Sequence, residues 1–290
     1  MSSPRRPRRR HNRILPALAI LLLAAIGFLY WSNATLQVTH FDPAFTDLPA
    51  GFDGCRMVVL SDTQAMTFGQ GQSRLLETVA KQDPDCIFFV GDMTDRFREI
   101  PENYVETLSA GLSAIAPTYY VTGNHEWAAG NVRDLKKTLT EQGVTVLSHQ
   151  YVPLEQNGDT IILAGIDDPN GYADQKTPET LAAELYAAEG DPFWLLLAPR
   201  NDRFADQYSL LGANLVISGH AHGGIIRLPF TDGLFDHNGL FPTHTAGLYE
   251  ENGSTLFVTR GLGNSGPSFR LFNRPEVAVL TLHRQQEVSA

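Results

Sequence analysis

Four short apolar runs in this chain stop at the same kind of place: VVLSD at Asp62, IFFVGD at Asp92, YYVTGNH at His125 and LVISGH at His220. Runs this short and this apolar read as strands buried on both faces, and such strands belong to a largely parallel sheet covered by helices. The spacers agree. Residues 73–82 place Leu75, Leu76 and Val79 on one helical face before the break at Asp83-Pro84. Pro101 opens a stretch in which Val105, Leu108, Leu112 and Ile115 follow the 3.6-residue period, and Val132, Leu135 and Leu139 mark a helix closed by Gly143. TIILAGIDD (160–168) and FWLLLAP (193–199) add strands, with helices expected around 178–189 and 203–211. Beyond residue 224, IIRLP, then LYEENGSTLFVT with its Asn252-Gly253 turn, then EVAVLTL, read as antiparallel strands. The pattern predicts one α/β unit over 51–290, without internal repeats or a second boundary.

The N-terminal segment has a different character. Residues 1–13 carry six arginines and no acid, and read as a basic cytoplasmic tail. Residues 14–31, ILPALAILLLAAIGFLYW, are apolar throughout and make about 27 Å of helix, close to the hydrocarbon thickness of a bilayer. The expectation is a single-pass signal-anchor in the cell membrane with the remaining chain extracytoplasmic, since arginines before such a run stay inside. A cleaved signal peptide, with Ser32-Asn33-Ala34 as its cleavage site, is the rival reading. Residues 32–50 read as a polar connector. Without the six leading arginines the chain carries 16 basic against 32 acidic residues, a surface that repels polyanions, so no nucleic-acid partner is expected. Cys55 and Cys86 precede Asp62 and Asp92 by seven and six residues. If the two aspartates stand level, the cysteines face opposite ways and stay free thiols.

The polar clusters carry the chemistry. Asp62, Gly91-Asp92 with Asp95, Gly123-Asn124-His125-Glu126 and Gly219-His220-Ala221-His222-Gly223-Gly224 each follow a buried strand. The carboxyl ends of parallel strands line the ligand crevice of an open α/β sheet, so residues distant in sequence meet there. Taken singly, Asp62 could cap a helix, Gly91-Asp92 could be a turn and His125 could be a packed histidine. Together, carboxylates, an amide oxygen and imidazoles form the mixed donor set of first-row divalent metals.

This order of GD-x-x-D, GNHE and GH-x-HGG, each after a strand, resembles the calcineurin-like metallophosphoesterases over residues 55 to about 283. The stretches YYVTGNHEW, GLYEENGSTLFVTRGLGNSGP and RLFNRPEVAVLTL are similar to the membrane-tethered bacterial branch. The resemblance implies a four-layer αββα sandwich, two mixed sheets flanked by helices, with two metal ions at the strand ends. It implies that Asp92 bridges the ions, that Asp62 and His222 hold the first, and that Asn124 and His220 hold the second. His125 becomes the acid for the leaving oxygen or a charge partner of the phosphoryl group, and Asp95 an orienting residue. The implied activity is metal-dependent hydrolysis of phosphomonoesters or phosphodiesters.

Two positions depart from the family. The first motif, D-x-H elsewhere, is Asp62-Thr63-Gln64 here, and a metal-binding histidine expected after the strand LLLA is Pro199, in LLLAPRNDRF. Glutamine keeps a carbonyl oxygen that could still ligate; proline offers no donor. Oxygen in place of imidazole nitrogen shifts preference towards manganese or magnesium and away from zinc, with iron also possible in kind. The sequence therefore predicts a hydrolase with weakened metal binding, one or two divalent ions per chain, best served by manganese, whose phosphoester substrate is lipid-linked or derived from the cell wall. The alternative is a catalytically silent relative that binds a phosphorylated envelope ligand or a partner protein. Asp168-Pro169-Asn170-Gly171 and 229–246 are the expected specificity loops, and His149, His237 and His244 are expected to be solvated.

Overall fold

A computed structural model describes residues 14–228, 232–236, 239–265 and 269–285; the basic tail and His237 lie outside them. The chain opens with the apolar helix α1 (Ile14–Ala34), along which only Ser32 is buried. It continues through β1 (Gln37–Phe41), β2 (Arg56–Leu60), α2 (Ser73–Ala80), β3 (Cys86–Val90), α3 (Tyr104–Ser113) and β4 (Thr118–Val121). Next come α4 (Asn124–Ala129), α5 (Val132–Glu141), β5 (Thr145–Val146), β6 (Gln150–Gln156), β7 (Asp159–Gly165), α6 (Pro178–Glu189), β8 (Trp194–Arg200) and β9 (Leu215–Gly219). The hairpin β10 (Gly247–Glu251) and β11 (Ser254–Val258) and the strand β12 (Glu276–Thr281) follow.

Two six-stranded sheets form, in the orders β1-β12-β2-β3-β4-β5 and β10-β11-β9-β8-β7-β6. In each, the central neighbours run parallel: β3 with β2 and β4, and β8 with β7 and β9. Antiparallel pairs β12–β2, β10–β11 and β6–β7 make both sheets mixed. The layers follow from side-chain alternation. Met57, Val59, Phe88 and Val90 face inward onto Leu163, Leu195, Leu197 and Ile217 of the other sheet. The alternate residues Val58, Leu60, Ile87 and Phe89 face α2, α3 and α5 through Leu75, Leu108 and Leu135. On the far side, Ile162, Trp194, Leu196 and Val216 pack on Leu181 and Leu185 of α6. The helix–sheet–sheet–helix sandwich is the expected one.

Five local expectations need correction. Gln37–Phe41, assigned to the connector, pairs in parallel with β12 and forms the edge of the first sheet; a five-residue strand of mixed polarity gives no periodic signal. Residues 203–211 do not form a helix but turns around Asn201–Arg203 and Tyr208–Leu210, because Phe204, Tyr208 and Leu211 are set by burial against the second sheet. The described part of IIRLP, Ile225 to Leu228, is no strand: Ile226 makes one isolated parallel bridge to Leu271, since Ile225 takes the left-handed φ of 49°. EVAVLTL is antiparallel to β2 but parallel to β1. The cysteines are free and buried, yet both face the core between the sheets. The register pairs Met57 with Cys86 and Leu60 with Phe89, so Asp62 stands level with Gly91 rather than Asp92, and the parity argument reverses.

Candidate active site

The carboxyl ends of β2, β3, β4 and β9 meet at one rim. Asp62 and Asp92 leave their strands with φ of 51° and 54°. That left-handed turn brings the following segments together: Asp62 N–H donates to the Gly91 carbonyl and Gln64 N–H to the Asp92 carbonyl, each at 3.0 Å. Gly123 is required at the start of α4, because a Cβ there would lie 2.2 Å from Asp92 Oδ1. That space is used by the Asp92 carboxylate, which accepts the His125 N–H at 2.8 Å.

Glu126, to which the sequence reading gave no role, is the hidden organiser. Fully buried, its carboxylate accepts the N–H groups of Gly123 (2.8 Å), Thr94 (2.9 Å) and Asp92 (3.1 Å). It thereby ties the Asp92 turn to the Asn124 turn. The available signal was its place three residues past Gly123, where a carboxylate reaches back to the first free amides of a helix. Burial, followed by repulsion from Glu126 and Asp62, holds the Asp92 carboxyl well above its usual range. Burial likewise pushes Glu126 up to about 7 against the pull of its three amides. Buried carboxylates this crowded favour a cation among them.

A cavity of about 400 Å³ opens over this rim, lined by Asp92, Asn124, His125, Arg200, His220 and His222. Asp62 and Gln64 lie buried at the site. His222 Nε2 is 3.6 Å from Asp62 Oδ1, and His220 Nδ1 is 4.0 Å from Asp92 Oδ2. Behind it, His222 Nδ1 faces the Gly263 carbonyl at 3.1 Å, and burial lowers this imidazole to about 4, so it is neutral near neutral pH. Arg270 Nη2 also comes within 3.3 Å of that nitrogen, but it donates to the same Gly263 carbonyl at 2.6 Å. His125 has Nδ1 at 3.1 Å from Asp95 Oδ1 and Nε2 at 3.2 Å from Ser265 Oγ. Burial lowers its pKa, and the Asp95 charge opposes that.

The residues present fit a divalent ion in one half of this site. Asp62 Oδ1 and Gln64 Oε1 are buried oxygens without a hydrogen-bond partner among the described residues, and a buried acceptor left unpaired costs about 1–3 kcal/mol. Asp62, Asp92, Gln64 and His222 could hold an ion. Among the described residues no three His, Cys, Asp or Glu side chains form a metal site unaided, so the amide oxygens have to be counted. The half around Asn124 and His220 is different, because Arg200 enters it: Nη1 lies 2.8 Å from His220 Nε2. Arg200 was not foreseen in the sequence.

Of the expected specificity loops, Asp168 is drawn inside as the partner of Arg200, and Phe235 and Asp236 line the cavity; 229–231 and 237–238 lie outside the described residues. His149 and His244 are not solvated. His149 is buried, and His244 is largely covered beside Glu251 and Tyr249.

Comparison with known proteins finds relatives of the chain along most of its length. Bacillus subtilis YkuE, an uncharacterized metallophosphoesterase, is 29% identical over 263 residues, covering 87% of each chain. A Danio rerio transmembrane protein with a metallophosphoesterase domain is 28% identical over 277 residues, 91% of this chain and 62% of that one. The phosphopantetheinyl hydrolase of Mycobacterium tuberculosis superposes with a TM-score of 0.47 at 13% identity, over 74% of this chain and 91% of that one. With α1 long and apolar enough to cross a bilayer and relatives named as transmembrane proteins, a membrane protein is supported. The calcineurin-like phosphoesterase family matches residues 55–224, more than half of the chain. This protein belongs to that family of metal-dependent phosphoester hydrolases.

Proposed function

We propose that the chain hydrolyses a phosphomonoester or phosphodiester at the outer face of the membrane, with manganese bound more weakly than the family norm. The observation that carries this reading is the convergence of Asp92, Asn124, His125, His220 and His222 on one cavity, with Asp62 buried at its base. A divalent ion held by Asp62, Asp92, Gln64 and His222 would activate water and neutralise charge on the phosphoryl oxygens. His125 presents Nε2 to the cavity with Asp95 behind its other nitrogen, an arrangement that holds the ring for donating a proton to the leaving oxygen. Arg96 also lines the cavity, suited to hold the substrate phosphate.

A lipid-linked phosphoester is the substrate class we favour. Phe272 packs on Phe28 of α1 with ring centroids 4.8 Å apart, and Phe272 and Phe269 stay exposed. The same segment supplies Ser265 to His125. A cavity whose wall is tied to a membrane helix suits a phosphate at the bilayer surface. The contacts of Asn33 with Asn264 and Arg270 support an uncleaved anchor, since cleavage after Ala34 would separate Asn33 from the domain.

The test is elemental analysis of the detergent-purified full chain, with turnover of an aryl phosphodiester and of a lipid phosphate in vesicles measured beside it. Metal-dependent turnover, faster on the vesicle substrate, is expected. Failure to retain any divalent ion at millimolar supply removes the hydrolase reading, and bound metal without turnover leaves the silent binder.

A further inference from the structure

Arg200 ends β8 beside Pro199, where the resemblance calls for an imidazole on the second ion. Its guanidinium lies instead against the imidazole meant to hold that ion. Nη1 is 2.8 Å from His220 Nε2, while Nε donates to Asp168 Oδ2 at 2.6 Å and Nη2 to Asp168 Oδ1 at 3.4 Å. A guanidinium only donates. His220 Nε2 must therefore accept, and the proton of the neutral ring sits on Nδ1, the nitrogen nearest Asp92 Oδ2. A ligating histidine needs the opposite polarity, one nitrogen bare towards the ion and the other protonated towards an acceptor. His222, two residues on, has that polarity: Nδ1 faces the Gly263 carbonyl and Nε2 is left bare beside Asp62. The two histidines of one motif are thus wired in reverse.

The guanidinium is also built in. The side chain of Asp168 is fully buried and that of Arg200 is 15% exposed. With His220 Nε2 engaged by Arg200, the donors left to the second half among the described residues are Asp92 and the Asn124 oxygen, too few for an ion.

We infer that this chain takes one divalent ion, in the half made by Asp62, Asp92, Gln64 and His222, and uses Arg200 as the fixed cation of the other half, against the phosphate oxygens of the substrate. The inference rests on the hydrolase reading and narrows it. Arg200 replaces a dissociable ion with a charge that neither chelator nor dilution removes. It also supplies planar, directional hydrogen bonds in place of an open coordination sphere.

The experiment uses the full chain in detergent, saturated with Mn2+ and freed of excess, with ions per chain counted by elemental analysis. One ion is expected, rising towards two in Arg200→Ala at millimolar Mn2+. Metal-free wild type should bind inorganic phosphate at least tenfold more tightly than Arg200→Ala does. In nitrogen NMR of the metal-free wild type, His220 should show a bare Nε2 and a protonated Nδ1, a readout that needs no variant to fold. Two ions in the wild type, or a protonated His220 Nε2, overturns the inference and leaves the hydrolase reading standing. No ion at all overturns both.

Discussion

Replacing Asn33 by alanine should loosen a wall of the cavity from within the anchor helix. Asn33 Oδ1 accepts the Arg270 N–H at 2.7 Å and Asn264 Nδ2 at 3.0 Å, and its Nδ2 donates to the Arg270 carbonyl at 3.0 Å. These bonds join α1 to the segment whose Gly263 carbonyl backs His222 and whose Ser265 meets His125. At roughly 0.5–1.5 kcal/mol net for each bond, the three are worth about 1.5–4.5 kcal/mol of local stability. Because they share one side chain, the lower half of that range applies, and opening of the segment should become on the order of 10- to 100-fold more frequent. The assay is hydrogen exchange at the Arg270 amide in the detergent-purified full chain, with turnover measured beside it. Exchange should quicken by that factor, and turnover should fall while the metal content stays at its wild-type value. An unchanged Arg270 exchange rate would refute the coupling, and with it the view that helix and active-site wall form one unit.

Replacing Asp95 by asparagine removes the charge that raises the His125 pKa against burial. An acid acts only while protonated, so activity should fall as pH rises through the His125 pKa, and Asp95→Asn should move that alkaline limb of kcat/KM to lower pH; an unmoved limb would mean that another group is the acid. Gln64→His puts an imidazole at a buried position whose amide has no partner among the described residues. It should tighten metal binding by about 10–100-fold and shift preference towards zinc, read by competition with a chelator, whereas unchanged affinity would place Gln64 outside the ion's reach.

The strands were legible because burial on both faces leaves no room for polar residues, and VVLSD or IFFVGD can be little else. The edge strand β1 was not, since its face is half solvated and its partner β12 lies far along the chain. Position 199 is a proline and offers no donor, but its neighbour Arg200 was invisible as a site residue. Its meaning depends on Asp168 and His220, 32 and 20 residues away. Glu126 hid for a related reason: its work is done on the backbone of Asp92 and Thr94, and backbone amides leave no mark in a sequence. Sequence shows which residues could do chemistry at a strand end, and only contact between segments shows which way a histidine is wired.

The backbone of the site records the same division. Asp62, Gln64, Asp92, His220 and His222 all adopt φ between 47° and 70°, a region that glycine occupies freely and other residues at a cost of roughly 1 kcal/mol or more each. Five such residues forgo on the order of 5 kcal/mol, a large share of what holds a domain folded. Glycine at these positions would relieve the strain and leave no donors. The turns persist because cross-segment bonds over-determine them: Asp62 N–H to Gly91, Gln64 N–H to Asp92, and His220 N–H to Asp62 Oδ2 at 3.0 Å. That last bond is informative. One oxygen of Asp62 is consumed in holding His220 in its turn, together with the Ser61 hydroxyl at 2.6 Å, and the other has no hydrogen-bond partner among the described residues, beside His222. The strain therefore serves two ends at once, fixing the histidine that meets Arg200 and aiming the bare carboxylate oxygen at the one that can still share an ion.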